Sequence, residues 1–356
     1  MKKILFYINT LNRGGAERVF SALANEFSES GYEVVFVTSF RLELEYTLNP
    51  HIKRYSVEKT DSKNTFLQKN IKRISYLRKT IKQEKPDFVL ATSPEANFRL
   101  LIATVGIKCK KVITIISDCK HEYASHAYAF LAKTLYRRAD GVVCQTKEEM
   151  DWFPVGVKKK CCILYNQVDK RFFEYECPQI RKNVVAVGRA VPLKRQSDII
   201  RAFAKIVDRV EDNLIIYGDG PCRADMLQMV DSMGLVGRVF LPGKIDDVAS
   251  AIYDARLFVH ASEYEGMSNA VMEAMTLGIP CILTDCDGGG ARELIGDDEY
   301  GYLVPVGNIK MLSDRMLFIL TDSDEQKRLE KQSYIRAQDF KGENIFRQWR
   351  DYIEQL

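Results

Sequence analysis

The 356-residue sequence contains no uninterrupted apolar run of the roughly 18–20 residues that a membrane-spanning helix needs, so any membrane contact is expected to be peripheral. The first residues carry two lysines and a short apolar run but no signal-peptide cleavage pattern, which favours a first strand. The nine cysteines include no C-x-x-C pair, and a reducing cytoplasm is the expected location. A net charge of only +4 predicts no nucleic-acid partner.

Short apolar runs that alternate with helix-length segments are present throughout the chain. They include "KILFYIN" and "DFVLAT" in the first half, and "NVVAVG" and "RLFVHA" in the second. Uniformly apolar strands interleaved with helices indicate an α/β protein with parallel sheets covered on both faces. A chain of this length is expected to form two domains of roughly 150–200 residues. We therefore predict two doubly wound, Rossmann-like domains, 1–170 and 171–340, that face each other across a cleft.

Residues 63–85, "KNTFLQKNIKRISYLRKTIKQEK", combine positive charge with apolar residues at helical spacing. This pattern predicts an amphipathic basic helix. Two interpretations stay open: a crossover helix with a solvated cationic face, or a surface attracted to anionic lipid or to a phosphate-bearing acceptor. The apolar positions are Leu67, Ile71, Ile74, Leu77 and Ile81.

A glycine pair, Gly14 and Gly15, stands between the first predicted strand and the next helix. Without side chains at these positions, the backbone can approach a phosphate to which helix N–H groups point. A tight turn explains the pair equally well. The spacing is not G-x-G-x-x-G, and the second strand, "VVFVTSF", ends without an acidic residue, so a nicotinamide-dependent oxidoreductase is disfavoured.

Two cations follow the strand that opens the second half, in "VAVGRAVPLKRQSDII". Arg189 comes directly after Gly188, and Lys194 precedes the next predicted helix. At the carboxyl edge of a strand, Arg189 could grip a pyrophosphate with its planar fork and Lys194 could act as a point charge. The alternative is that both are ordinary surface cations.

The stretch "SEYEGMSNAVMEAMTLGIP" places Glu265 in a loop after a strand and Glu273 inside the following helix. Free N–H groups at the positive end of this helix suit a phosphate, and the two carboxylates suit sugar or ribose hydroxyls. The pattern favours a nucleoside diphosphate sugar as ligand, whereas compensation of the helix dipole is the alternative. The N–H groups in question belong to Met267, Ser268, Asn269 and Ala270, and Ser268 or Asn269 is the expected N-cap.

Together these segments resemble the retaining glycosyltransferases of family 4, which have the GT-B fold. The resemblance covers nearly the whole chain and rests on "RGGAERV", "YNQVD", "VGRAVPLKR", "IIYGDGP", "SEYEGMSNAVMEAMTLGIPCILTD", "GGGARELI" and "GYLVPVGN". It implies that 1–170 binds the acceptor and that 171–340 binds the donor. It also implies that the last helix, 341–356, which has an apolar face, packs back on the N-terminal domain.

The resemblance implies roles for single residues. Gly14 and Gly15 match the family's glycine-rich turn near the donor phosphates. Arg189 and Lys194 match its pyrophosphate-binding pair. Glu265 and Glu273 match the two acidic residues of its E-x7-E motif, the first near the transferred sugar and the second on the ribose. The turn that is implied to bind the donor consists of Gly266, Met267, Ser268 and Asn269.

One position departs from the family pattern. Many members carry a histidine after the strand that corresponds to "VITIIS", and this sequence has Ser117-Asp118 there. His121 and His126 follow in a different register. Asp118 is therefore expected to take the histidine's place as a catalytic residue beside the donor sugar.

No metal or other cofactor is expected. Asp285 and Asp287 form a D-x-D pattern but belong to the matched "DCDGGGARELI" segment, which argues against a metal clamp. The cysteines lack metal-ligand spacing. His260, at the end of an apolar strand, is interpreted as a structural histidine.

The sequence thus predicts a retaining glycosyltransferase that moves a hexose or N-acetylhexosamine from a nucleotide sugar, with UDP favoured, to a saccharide or lipid-linked acceptor. Bacterial surface polysaccharide biosynthesis is the expected process, in the cytoplasm or at the inner face of the plasma membrane. Two alternatives share the fold: a nucleotide-sugar epimerase and a non-catalytic nucleotide-sugar-binding subunit.

Overall fold

The computed structural model describes residues 1–12, 14–58 and 65–356. The chain divides into two compact units: unit 1 is Met1–Tyr165 with Phe346–Leu356, and unit 2 is Asn166–Ile345. Each unit contains one parallel sheet with helices between most of its successive strands, so the predicted pair of doubly wound α/β halves is confirmed. The basic segment 63–85 begins with two residues, 63 and 64, that lie outside the described ranges.

The described residues of unit 1 form seven parallel strands. Its elements are β1 (Lys3–Ile8), α1 (Gly15–Glu29), β2 (Glu33–Phe40), β3 (Lys53–Glu58), α2 (Phe66–Glu84), β4 (Phe88–Thr92), α3 (Pro94–Ala103), β5 (Lys110–Thr114), α4 (Cys119–Glu122), α5 (His126–Leu135), β6 (Gly141–Cys144), α6 (Lys147–Asp151), α7 (Val155–Lys158) and β7 (Cys161–Ile163). The strand order is β3-β2-β1-β4-β5-β6-β7, so the winding direction reverses between β1 and β4.

Unit 2 repeats this plan with six parallel strands. Its elements are β8 (Lys182–Val187), α8 (Gln196–Ala204), β9 (Leu214–Tyr217), α9 (Arg223–Ser232), β10 (Val239–Gly243), α10 (Val248–Ile252), β11 (Ala255–His260), α11 (Asn269–Thr276), β12 (Cys281–Asp285), α12 (Gly290–Ile295), β13 (Tyr302–Pro305), α13 (Ile309–Thr321) and α14 (Ser323–Ala337). The order β10-β9-β8-β11-β12-β13 reverses between β8 and β11.

Consecutive apolar residues explain why the central strands are buried. Neighbouring residues of a strand point to opposite faces of the sheet, so a run such as "ILFYI" in β1 needs cover on both sides. Helices supply that cover, and Leu5, Val35 and Val89 have no exposed surface. Leu257 of β11 is equally buried in unit 2. These cores fix the strand ends from which the loops of each unit begin.

The basic helix α2 forms as predicted, but its predicted apolar face is only partly buried. Leu77 and Ile81 are buried, whereas Leu67 and Ile71 are 68% and 59% exposed. At 100° per residue, Leu67 lies roughly 95° and Ile71 roughly 135° around the helix from the centre of the buried stripe, which also includes Arg73, Thr80 and Glu84. No helix within the described ranges is long and apolar enough to cross a membrane.

The last helix, α15 (Gly342–Gln355), ends within unit 1. The Phe346 ring meets the Phe27 ring edge to face at 5.0 Å between centroids. The Tyr32 hydroxyl donates a hydrogen bond to Glu354 Oε1 at 2.6 Å, and the Tyr352 hydroxyl donates to the Lys160 carbonyl at 3.1 Å. The last residues of the chain therefore complete the first unit.

Candidate active site

The reversal point of the unit 2 sheet is where the predicted donor-binding residues of that unit lie, whereas Gly14 and Gly15 belong to unit 1. β8 and β11 are parallel neighbours, so the loops after both strands emerge at the same sheet edge. In open α/β sheets, ligands bind beyond the carboxyl ends of strands at such a reversal point. Arg189 and Lys194 follow β8, and Glu265 follows β11.

Main-chain hydrogen bonds join these loops. The Glu263 N–H donates to the Leu193 carbonyl at 2.9 Å, and the Glu265 N–H donates to the Asp287 carbonyl at 2.9 Å. These bonds connect the loop after β11 to the loops after β8 and β12. The sequence-predicted residues are thereby held on one scaffold.

Gly290, at the start of α12, allows an especially close approach. A Cβ atom at this position would lie 1.8 Å from the Gly266 carbonyl oxygen. Any side chain at 290 would therefore displace the backbone of the turn that follows Glu265. The backbone of the "GGGARELI" segment thus packs directly against the backbone of the "EGMSN" turn.

Glu265 is the centre of the polar contacts in this site. Its carboxylate forms an ion pair with Lys194 and accepts a hydrogen bond from the Ser262 hydroxyl at 3.1 Å. His260 Nε2 lies 3.4 Å from Oε2 of the same carboxylate. Burial alone would raise the pKa of Glu265, but the hydrogen bond from His260 and the positive charge of Lys194 outweigh it and lower the pKa to about 2. Glu265 is therefore an ionised hydrogen-bond acceptor at neutral pH.

His260 and Ser262 were not predicted as site residues. The His260 ring is buried, and its Nε2 lies 3.0 Å from Ser262 Oγ. Burial and the nearby charge of Lys194 lower the pKa of His260, so the imidazole is neutral at neutral pH. His260 is buried, as expected of a structural histidine, but it also contacts the Glu265 carboxylate. Its place at the carboxyl end of a strand, five residues before Glu265, was the available signal.

The two predicted cations differ in their surroundings. Lys194 is mostly buried, with 15% of its side chain exposed, and is paired with Glu265. Arg189 is exposed, and within the described part of the chain its guanidinium makes no hydrogen bond or ion pair. Arg189 is thus available to an anionic ligand, whereas Lys194 would have to be shared with Glu265.

Helix α11 begins directly after this turn. Ser268 is its N-cap residue, but the Ser268 side chain makes no capping hydrogen bond. The first N–H groups of a helix have no intrahelical partner, so those of α11 are left for another acceptor. The Asn269 Oδ1 atom accepts a hydrogen bond from Asn166 Nδ2 at 3.2 Å. Glu273 is buried one turn further along the helix, and Met267 is buried in the turn before it.

The predicted site residues of unit 1 lie at two other strand ends. Gly14 is the N-cap of α1 and has an extended backbone with φ of −113°, and its N–H donates to the Asn12 carbonyl at 2.7 Å. Gly15 is the first residue of that helix. A Cβ on Gly14 would lie 2.3 Å from Glu17 Oε2, the flexible end of a side chain. A side chain at position 14 would therefore require the Glu17 side chain to move.

Asp118 follows β5 and is buried. It is the N-cap of α4, where its Oδ2 accepts the His121 N–H at 2.9 Å and lies 2.5 Å from His121 Nδ1. Asp118 therefore has a local partner, His121. In the sequence, His121 does not align with the position of the family's histidine. Its role beside a donor sugar stays a prediction.

Asp285 of the D-x-D pattern has a cationic partner. Its two carboxylate oxygens accept hydrogen bonds from Arg292 Nε at 2.6 Å and Nη2 at 2.7 Å. Across the ranges that the structure describes, no group of three or more His, Cys, Asp or Glu side chains is arranged to hold a metal ion.

Each half of the chain matches the model of a known protein family. Residues 13–172 match the family model described as Glycosyltransferase Family 4. Residues 167–336 match the model described as Glycosyl transferases group 1. The two matches together span nearly the whole chain.

Two curated relatives come from Campylobacter jejuni. One is GalNAc-alpha-(1->4)-GalNAc-alpha-(1->3)-diNAcBac-PP-undecaprenol alpha-1,4-N-acetyl-D-galactosaminyltransferase, 25% identical over 100% of this chain and 99% of the relative. The other is N-acetylgalactosamine-N,N'-diacetylbacillosaminyl-diphospho-undecaprenol 4-alpha-N-acetylgalactosaminyltransferase, 27% identical over 99% of this chain and 100% of the relative. Among solved structures, HepE of Anabaena in complex with UDP superposes with a TM-score of 0.83 at 19% identity, and 100% of each chain is covered. This likeness shows the GT-B fold.

Removing the Glu265 carboxylate should cost stability in a pH-dependent way. Its pKa is about 2 in the fold against an ordinary value of 4.5, so its stabilising contribution is complete above the ordinary value and is lost as the pH falls towards 2. The difference in free energy of unfolding between the protein and Glu265→Gln should be constant from pH 7 to 5 and should shrink by pH 3.5, as measured by urea unfolding. The exposed Glu343→Gln controls for general loss of a carboxylate. A difference that grows on acidification would contradict the assignment.

Proposed function

Because this chain belongs to the GT-B glycosyltransferases of the family 4 type, we propose that it transfers a hexose or N-acetylhexosamine from a UDP-sugar, with retention at the anomeric carbon. The acceptor is a saccharide carried on a lipid diphosphate. The observation that carries the proposal is the convergence of Arg189, Lys194, Glu265 and the start of α11 at the reversal point of the unit 2 sheet.

The donor diphosphate would be held by Arg189 and by the N–H groups at the start of α11. Arg189 has no protein partner in the described part of the chain, and the first turn of α11 has no side-chain cap. A guanidinium fork binds two phosphate oxygens at once, and the positive end of a helix favours an anion. These groups can supply the required positive charge, and the proposal includes no metal ion.

Lys194 and Glu265 would act together on the transferred sugar and the leaving oxygen. The ammonium of Lys194 has three N–H donors, so it can bind a phosphate oxygen while it still contacts Glu265. Glu265 is ionised because of its low pKa, and it would accept hydrogen bonds from sugar hydroxyls and offset positive charge on the sugar. Glu273, buried in α11, would accept a hydrogen bond from the ribose.

The chemical step breaks the bond between the anomeric carbon and the β-phosphate oxygen. The acceptor hydroxyl forms the new bond on the same face of the sugar, and its proton passes to the departing phosphate oxygen. Negative charge grows on that oxygen while the sugar becomes oxocarbenium-like. Cations and N–H groups that are already in place stabilise this charge, which often contributes most to lowering a barrier.

The proposed substrates rest on the relatives. HepE was solved with UDP, which supports UDP as the nucleotide of the sugar donor. Both Campylobacter enzymes are named for transfer of N-acetylgalactosamine to undecaprenol-diphosphate saccharides. A lipid-diphosphate acceptor is therefore favoured, and assembly of a bacterial surface glycan is the proposed process.

The exposed part of α2 provides a surface for the membrane that would carry such an acceptor. Phe66, Leu67 and Ile71 are all more than half exposed, and Lys72 and Lys79 are exposed on the same helix. Apolar side chains next to cations suit the headgroup region of an anionic bilayer. We therefore favour, of the two interpretations of this segment, peripheral contact with anionic lipid.

A thermal-shift screen of UDP-, GDP- and ADP-sugars tests the donor. UDP-sugars should raise the melting temperature most, because ligand that binds only the folded state stabilises it, and the shift should persist in EDTA.

NMR of the product formed with a lipid-diphosphate saccharide should show the donor's anomeric configuration. Conversion of the sugar without acceptor would indicate an epimerase, and binding without any turnover would indicate a non-catalytic subunit.

Arg189→Ala should reduce turnover by about 10²-fold or more, since it removes a cation that stabilises the leaving diphosphate. Steady-state kinetics with the donor found in the screen would measure kcat and KM. Arg209→Ala, which removes another exposed arginine of unit 2, is the matched control and should have little effect. Unchanged kcat in a folded Arg189→Ala protein would remove Arg189 from the mechanism.

Co-sedimentation with lipid vesicles tests the α2 surface. Binding is expected to phosphatidylcholine vesicles that contain phosphatidylglycerol, and much less to phosphatidylcholine alone, because the helix carries exposed cations. The double variant Leu67→Ser/Ile71→Ser should bind several-fold less. Ile180→Ser/Val236→Ser changes two residues of unit 2 that are 79% and 70% exposed, and it should bind normally. Equal loss in both double variants would argue against a dedicated surface on α2.

A further inference from the structure

Unit 1 has its own reversal point, between β1 and β4, and a buried arginine lies there. Arg99 belongs to α3, the helix that follows β4, and is 5% exposed. Asn9 follows β1, the strand that pairs with β4. The region beyond the carboxyl ends of these two strands is the place where a doubly wound sheet takes a ligand.

Neutral groups hold the Arg99 guanidinium. Its Nη1 donates to Asn9 Oδ1 at 2.5 Å and its Nε donates to Asn70 Oδ1 at 2.6 Å. Within the described part of the chain, Nη2 has no hydrogen-bond partner. The guanidinium is thus oriented by two amides that carry no charge, and one of its nitrogens is still available.

Asn9 is itself fixed by the end of β2. Its Oδ1 also accepts a hydrogen bond from Ser39 Oγ at 3.2 Å, and its carbonyl accepts the Ser39 N–H at 3.0 Å. Ser39 Oγ in turn lies 3.0 Å from the Tyr7 hydroxyl. The network therefore connects α3 to the ends of β1 and β2, and the main-chain hydrogen bond from Ser39 holds the backbone of Asn9 in place.

No carboxylate of the described chain forms an ion pair with Arg99. Glu95, one turn earlier on α3, is exposed and does not pair with it. Arg54 offers a contrast, because its Nη2 lies 2.9 Å from Glu45 Oε2. A buried charge without a counterion is strongly unfavourable. A purely structural link between Asn9 and Asn70 would not need a positive charge, whereas a site for an anion would.

We propose that Arg99 binds a phosphoryl oxygen of the acceptor, so that the reversal point of unit 1 is an acceptor-anion subsite. This inference rests on the proposed function, which assigns the acceptor a lipid diphosphate and assigns the donor diphosphate to unit 2. Arg99 suits the task because a planar guanidinium that is already oriented gives directional hydrogen bonds to phosphate oxygens.

Calorimetric titration of the full chain with inorganic pyrophosphate, after saturation with UDP, tests the subsite. UDP occupies the donor site, so the remaining binding should report the acceptor side. Arg99→Gln should weaken pyrophosphate binding at least tenfold and leave UDP affinity unchanged. Arg99→Lys keeps the charge without the fork and should bind with intermediate affinity. Lys108→Gln, which removes an exposed cation of unit 1 that belongs to neither proposed surface, should bind like the unaltered protein.

Several results would overturn the inference. They are the absence of pyrophosphate binding to the UDP-saturated protein, equal binding by Arg99→Gln, or a loss of UDP affinity in that variant, which would assign Arg99 to the donor. Failure of both Arg99 variants to fold, by circular dichroism, would make Arg99 a structural residue and also overturn it. Absence of UDP binding would overturn the proposed function and this inference together, whereas UDP binding without pyrophosphate binding would overturn this inference alone.

Discussion

The parallel pairing of β8 with β11 is the constraint on which the unit 2 site depends. Parallel strands end at the same sheet edge, so the two loops that follow them meet there, although 71 positions separate Lys194 from Glu265 in the sequence. Their ion pair sets the character of both groups. The hydrogen bond from His260 and this ion pair keep Glu265 ionised by lowering its pKa. The ion pair also gives the mostly buried ammonium of Lys194 a counterion, and the charge of Lys194 helps to keep His260 neutral. Arg189, which shares in none of these contacts, keeps its full capacity to bind an anion.

Close backbone packing holds these loops in register. The glycines after β9 allow their loop to lie against the loop after β8, since a Cβ on Gly218 would be 1.9 Å from the Gly188 carbonyl oxygen and Gly218 has a φ of +131°. Gly290 likewise allows close backbone packing, in this case against the turn that begins with Gly266. Such contacts leave little freedom for the loops to move, so the N–H groups at the start of α11 and the Lys194–Glu265 pair stay oriented before a ligand arrives. Preorganisation of this kind is what electrostatic stabilisation of a leaving group requires.

The two units share a plan but differ in how charge is arranged at the reversal point. In unit 2, a lysine and a carboxylate are paired and a second cation is exposed. In unit 1, the buried Arg99 guanidinium is held by amide oxygens. One fold can thus arrange different charged groups at equivalent edges, because the sheet supplies the position and the loop residues supply the chemistry. The α2 helix adds a third element, in which apolar side chains and cations lie exposed together.

Local signals in the sequence were enough to determine the α/β class, the two doubly wound halves, and the placement of Arg189, Lys194 and Glu265 at strand ends. Apolar runs, glycine pairs and helix punctuation act over a few residues and can be read directly. Only the tertiary structure decided that His260 and Ser262 contact Glu265, that Asp118 pairs with His121, and that Arg99 is buried between Asn9 and Asn70. It also decided that Leu67 and Ile71 are exposed, although they have the spacing of a buried face. The physical reason is that these outcomes depend on which loops converge and on how a helix is rotated against its sheet, and neither is a property of a local stretch of chain.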